Sequence, residues 1–176
     1  MAMIFLDLKV DGQSVPGDST ALGFAGLIEI ERMSWEMKAR QPGKNVASST
    51  QARTHVQAEH LKLEKYFDSA STRLLRYMDT RKRFASATVS VLSMMMRGQS
   101  GRNDTMLVVE LKDGYIESID VDARESGKAV AVSESIALSF QECKIKYQPA
   151  DPTKMRRSQV ATEFLHKVEK EAVHTG

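Results

Sequence analysis

The chain has a single cysteine, Cys143, in 176 residues, so no intrachain disulfide can form and the protein suits a reducing cytoplasm. Aromatic residues make up 6% of it, too few for the row of rings on which a single-stranded nucleic acid stacks. Charge of one sign is not in excess. The 25 Lys and Arg against 23 Asp and Glu leave a formal +2, which supplies no general pull toward nucleic acid or an anionic membrane. Uninterrupted apolar runs span only a few residues, against the ~20 that a membrane helix requires, so no membrane insertion is expected. The N-terminus, Met1-Ala-Met-Ile-Phe-Leu-Asp7, lacks a basic n-region and meets an acid too early for the apolar core of a signal peptide. With 41% hydrophobic and 27% charged residues the chain reads as a globule. It is large enough to bury a core without metal or disulfide.

Groups arranged for catalysis are missing as well. His55, His60, His166 and His174 lie at no finger-like spacing, and with one cysteine they predict no metal site. Lys144 beside Cys143 could lower a thiol pKa, but the strand parity places Cys143 with Ile145 and Tyr147, as a small core residue. Asp120-Val-Asp122 opens like a calcium loop and then puts Arg124 where an oxygen ligand belongs. Gly98 and Gly101 are not followed by Gly-Lys-Ser/Thr, and no Gly-x-Ser-x-Gly elbow occurs. The basic cluster Lys154, Arg156 and Arg157 lacks interleaved aromatics and reads as a solvated lead-in to the tail. No enzyme, cofactor or nucleic-acid partner is therefore expected.

What is present is alternation of period two, the mark of half-buried strands. It runs through Ile4, Leu6, Leu8 and Val10, and again through Ile28 and Ile30 before the apolar set moves to Met33, Trp35 and Met37. Such a change of phase predicts a bulge that bends a strand. Lys38 to Thr54 is polar and predicts a long exposed loop. Val56 and Ala58 resume the alternation, with a further shift of phase at Leu61 and Leu63. Leu74, Leu75 and Met78 give one face of a short helix near Ser69 to Thr80, with Asp68 or Ser71 available to cap it.

Beyond the helix, Ala85, Ala87, Val89 and Val91 predict a strand, and Leu107, Val109 and Leu111 its antiparallel return. Asp113-Gly114 is a hairpin signal leading to a strand from Tyr115 to Val121. Asp122 to Lys128 reads as a second polar loop. Val130, Val132, Ile136, Leu138 and Phe140 alternate, the phase changes near Gln141-Glu142, and Cys143, Ile145 and Tyr147 follow. The stripe Val160, Phe164, Leu165 and Val168 predicts a helical tail. The expected architecture is mainly β, an antiparallel β-barrel or sandwich with one flanking α-helix and a C-terminal helical tail. The expected division is a β-barrel domain over 1–150 and a helical extension over 151–176.

Several segments in order resemble the haemolysin-coregulated protein (Hcp) family, the tube subunit of the bacterial type VI secretion system. They are Met3-Ile-Phe-Leu-Asp-Leu-Lys9 with Asp11-Gly12, Ile28-Glu-Ile30 to Ser34-Trp35, and Leu61-Lys-Leu-Glu-Lys-Tyr66 with Asp68-Ser-Ala-Ser71 and Leu74-Leu75. Glu110-Leu-Lys-Asp-Gly114, Glu134-Ser-Ile-Ala-Leu-Ser-Phe140 and Ile145-Lys-Tyr-Gln-Pro149 complete the pattern, which covers roughly residues 3 to 149. The resemblance implies a homohexameric ring that stacks into a hollow tube inside a contractile sheath, tipped by a spike protein and expelled by contraction. It also implies that secreted effectors ride in the lumen, and that the protein passes from the bacterial cytoplasm to the outside without a signal peptide. By position it implies that Gln41, Pro42, Gly43, Lys44, Asn45, Ser48, Ser49 and Thr50 belong to a loop reaching neighbouring subunits or rings. It likewise places Asp122, Arg124, Glu125, Ser126 and Lys128 in a loop on the lumen side. The alternative reading is a monomeric β-barrel that carries a small ligand, with Met94 to Met96 lining a cavity.

Overall fold

A computed structural model describes residues 3–40, 55–92, 105–126, 129–147 and 162–168. In the first strand, β1 (Ile4–Val10), Leu6, Leu8 and Val10 are buried while Lys9 is exposed and Asp7 half-buried. Phe5 breaks the alternation, lying on the outward face yet fully buried. The segment that follows the two-residue strand β2 (Gln13–Ser14) folds back over it and stacks Phe24 on its ring at 4.6 Å between centroids.

The remaining elements are β3 (Ile28–Ile30), β4 (Arg32–Ser34), β5 (Met37–Arg40), β6 (His55–Ala58), β7 (Leu61–Tyr66), α1 (Ser71–Asp79) and β8 (Phe84–Leu92). They continue with β9 (Thr105–Gly114), β10 (Ile116–Ser126), β11 (Ala129–Leu138), β12 (Glu142–Tyr147) and β13 (Thr162–Lys167). Among the described residues they form a seven-stranded antiparallel sheet in the order β13-β12-β9-β8-β1-β2, with β3 also on β1. A four-stranded sheet, β10-β11-β7-β4, packs against it, and β5 and β6 make a separate two-stranded ribbon. Leu6, Leu8, Val89 and Leu111 from the first sheet meet Leu61, Leu63, Ile136 and Leu138 from the second, and Leu74 of α1 joins the same core.

The two sheets form a sandwich, the second of the two expected architectures, and do not close into a barrel. The chain crosses between them at corners where strand pairing stops: at Glu31, at Tyr115 and over Ser139 to Gln141. Each predicted change of phase falls at or beside such a crossing or a strand break, so the inward-facing parity resets there. The Glu31 amide bonds to the Glu64 carbonyl (2.8 Å) and the Ser139 amide to the Tyr115 carbonyl (2.9 Å), so the corners keep their backbone groups paired.

Asp113-Gly114 ends β9 at the Tyr115 corner and is not a hairpin, because β10 pairs with β11 and not with β9. Asp113 takes a left-handed φ of 55°. Gly114 is needed for close approach, since a Cβ there would strike the Ser139 carbonyl and the Phe84 ring. The predicted loop at 38–54 begins and ends in pairing, with Lys38 opposite Gln57 and Arg40 opposite His55.

The helical tail is also corrected. Residues 162–167 are an antiparallel edge strand, pairing from Tyr147 opposite Thr162 to Glu142 opposite Lys167. Phe164 and His166 fall on the face that carries Cys143 and Ile145, and Leu165 on the other. A short isolated helix is marginal in water, whereas the open edge of β12 offers a backbone partner at every second residue. The Phe164 ring lies 6.3 Å from that of Trp35, whose indole N–H donates to the Glu59 carbonyl at 3.0 Å.

Leu63→Ala in this core is expected to cost about 2–5 kcal/mol. Gly114→Ala should cost at least ~2 kcal/mol, because its neighbours are backbone and a packed ring. Both are read from denaturant midpoints at unchanged slope.

Candidate assembly site

The β10–β11 hairpin is longer than its neighbours in the second sheet. β7 ends at Tyr66 opposite Ser133, and beyond it Ala123 to Ser126 pair only with Ala129 to Val132, in register and antiparallel. This projecting arm has two unlike faces. On the side that continues the core, Val121 and Val130 are exposed, Val130 at 65%, with Ala123 beside them and the exposed Glu125 directly opposite Val130. The opposite side carries Asp122 and Arg124, which form an ion pair with each other.

The predicted lumen-side residues are thus strand rather than loop. Asp122, Arg124, Glu125 and Ser126 all belong to β10, and the expectation failed because polar side chains on a projecting two-stranded ribbon carry no core to reveal the period. Lys128 lies outside the described residues. So do Gln41, Pro42, Gly43, Lys44, Asn45, Ser48, Ser49 and Thr50, which fall between β5 and β6 in the sequence.

On the outer face of the large sheet, charges run in a ladder across β13, β12 and β9. Lys144 reaches Glu163 at 2.6 Å, Lys146 reaches Glu110 at 2.7 Å, and Glu142 is shared by Lys112 at 2.8 Å and Lys167 at 3.6 Å. The hydrogen bond to Glu142 holds the Lys112 pKa above its ordinary value, the bond to Glu110 does the same for Lys146, and the bond from Lys112 holds Glu142 below its own. Cys143, on the inner face of the same strand, is buried, and burial pushes its thiol up to about 11. It is the core residue expected from its parity and not a nucleophile. Among the described residues no cluster of His, Cys, Asp and Glu could hold a metal ion. No helix among them is long and apolar enough to cross a membrane.

One constellation escaped the sequence reading. Lys65 of β7 and Glu134 of β11 sit directly opposite each other, and both side chains are wholly buried. The Lys65 ammonium donates to Glu134 Oε1 (2.7 Å), Asp68 Oδ1 (2.7 Å) and the Tyr66 carbonyl (2.7 Å), with Ser71 Oγ at 3.1 Å. The Ser71 hydroxyl accepts from the Asp68 amide (2.9 Å) and donates to Glu134 Oε1 (2.8 Å). Asp68 Oδ1 also accepts from the Ala70 amide at 2.9 Å, at the entry to α1. The signal was there: Lys65 continues the inward parity of Leu61 and Leu63, and Glu134 that of Ile136 and Leu138.

A family model described as "Type VI secretion system effector, Hcp" matches residues 7–147. Solved structures resemble the fold over nearly its full length. A variant of the Hcp1 protein from E. coli EAEC 042 is 14% identical with a TM-score of 0.71, over 96% of this chain and 100% of that one. A type VI secretion system effector from Yersinia pestis is 18% identical with a TM-score of 0.63, over 94% and 99%. The secreted protein Hcp3 from Pseudomonas aeruginosa is 11% identical with a TM-score of 0.66, over 95% and 98%. At these identities the likeness is one of fold. A search of curated proteins finds no match.

Lys65→Met alone is expected to cost about 3–5 kcal/mol, because Glu134 is left buried without its cation; calorimetric or denaturant unfolding reads this. The ladder predicts a flat pH response. The lowered Glu142 contributes fully above its ordinary value of 4.5, and that contribution is lost as pH falls through the lowered value. The raised Lys112 and Lys146 contribute fully below 10.5 and lose this only as pH rises through their raised values. Unfolding midpoints measured across that window should not change on account of these groups.

Proposed function

This chain belongs to the Hcp family of type VI secretion proteins, and from that premise we propose that it is a structural subunit of the inner tube of the secretion system. Subunits close into hexameric rings and the rings stack into a hollow tube. The contractile sheath surrounds that tube, the spike protein caps it, and contraction expels it from the bacterial cytoplasm. Effectors are carried in the lumen, and the chain itself performs no catalysis. The observation that carries this reading is the family match over residues 7–147 together with a likeness of fold along nearly the whole chain.

A ring needs heterologous contacts, one face of a subunit against a different face of the next. Support for such contacts comes from the projecting arm, whose core-side face exposes Val121, Ala123 and Val130. Further support comes from β10 and β13, which among the described residues are paired on one side only. In this reading the exposed valines of the arm meet the neighbouring subunit, and the outer end of the hairpin, with Asp122, Arg124, Glu125, Ser126 and Lys128, lies toward the lumen. Gln41 to Thr50, between β5 and β6 in the sequence, reach adjacent subunits or rings. The ligand-carrier reading rested on Met94 to Met96, which lie outside the described residues, and no observation favours it.

Light scattering of the purified full-length protein on a sizing column, with negative-stain images of the same peak, tests the proposal. A hexamer mass with annular particles is expected. A chain that stays monomeric when concentrated overturns it.

A further inference from the structure

The second sheet narrows at the rung formed by Lys65, Glu134 and Val121. The Phe67 amide gives a last bond to the Val132 carbonyl at 2.9 Å, and past it β10 and β11 have only each other. Burial changes over the same short distance: Glu134 is wholly buried and Val130 is 65% exposed. The ion pair therefore sits at the root of the arm.

Resting on the tube-subunit reading, we infer that Lys65 and Glu134 are positioning residues for self-assembly: together they fix the angle at which the β10–β11 arm leaves the body and meets the next copy of this chain. Space alone does not call for charges here. Apolar side chains of similar volume fill a core as well, and replacing a buried pair with them is often neutral or stabilising. What apolar packing lacks is direction, which hydrogen bonds impose through their narrow range of distance and angle. The Lys65 ammonium binds Glu134 of β11, and with Asp68 and Ser71 it binds the entry to α1. That helix packs in turn on β10, the other strand of the arm. Both strands are thus referred to one cation. A closed ring is unforgiving of angle, because an error at each heterologous contact accumulates until the ring fails to close.

The test uses the full-length chain as wild type, as Lys65→Met, and as Lys65→Met combined with Glu134→Leu. The double variant is expected to melt near wild type and above the single variant, while its yield of closed rings falls about tenfold or more, into monomers and open oligomers. Spin labels on Asp79→Cys and Ala129→Cys, read beside the buried Cys143, should give a narrow distance distribution in the wild-type background and a broad one in the double variant. Normal ring yield with a narrow distribution in the double variant overturns the inference. So does a double variant that melts as low as Lys65→Met, since the pair then serves the fold itself. A wild-type chain that forms no rings overturns the tube reading instead, and the label distributions still decide whether the pair sets the arm.

Discussion

An ammonium removed from water is costly unless its charge and its N–H groups are all answered, and Lys65 is answered by groups from separate stretches of chain. Glu134 comes from β11, Asp68 and Ser71 from the entry to α1, and a carbonyl from the end of β7 itself. None can move without exposing the others to an unpaired buried charge. A slip of β7 by one residue would turn Lys65 out and carry Glu64 or Tyr66 into the interior with no partner waiting. The register of the second sheet, the start of the helix and the root of the arm are consequently fixed together by one side chain.

The corners are a second constraint, subordinate to the first. Because the chain changes sheets at Glu31, at Tyr115 and over Ser139 to Gln141, the two layers share strands in sequence without sharing pairing. The turn at Gly114 works only because the backbone of Ser139 and the ring of Phe84 lie against a residue with no side chain. Gly17 plays the same part under the loop that shields Phe5, where a Cβ would meet the backbone of Leu27 and Ile28. Close approach rather than an unusual φ explains both glycines.

How much was legible follows from what a period of two can report. Strands with one buried face, such as β1, β7 and the inner half of β11, announced themselves, and the breaks in phase near Glu31 and Gln141 fell at corners, while the one between Ala58 and Leu61 marked the end of one strand and the start of the next. Features that depend on a distant partner were silent. Phe164, Leu165 and Val168 satisfy a helical spacing by themselves, and only the open edge of β12 makes residues 162–167 a strand. Asp113-Gly114 has hairpin chemistry, but pairing between β9 and β10 was excluded because β12 already occupies the edge of β9. Lys65 and Glu134 obeyed the inward parity while carrying charge. Read singly, each looks like a charged residue in a half-buried strand, and only their juxtaposition across β7 and β11 makes them a pair. Of the expected site residues, Asp122, Arg124, Glu125 and Ser126 came together on one strand, for a reason that composition could not supply.

Electrostatics also narrows where a neighbouring subunit can be accepted. The ladder of Lys112, Lys144, Lys146 and Lys167 with Glu110, Glu142 and Glu163 is satisfied within the chain. Covering it would strip water from paired charges whose attraction to each other is already realised, so it offers a partner little beyond a desolvation cost. The arm is the opposite case. Its valines lose only unfavourable contact with water when covered, and the polar groups that a partner must answer there are the Glu125 carboxylate opposite Val130 and the outward backbone edges of the hairpin. Orientation then becomes the scarce quantity, since apolar contact tolerates many angles. A rigid, charge-specified root beneath an apolar arm supplies what the contact surface itself does not.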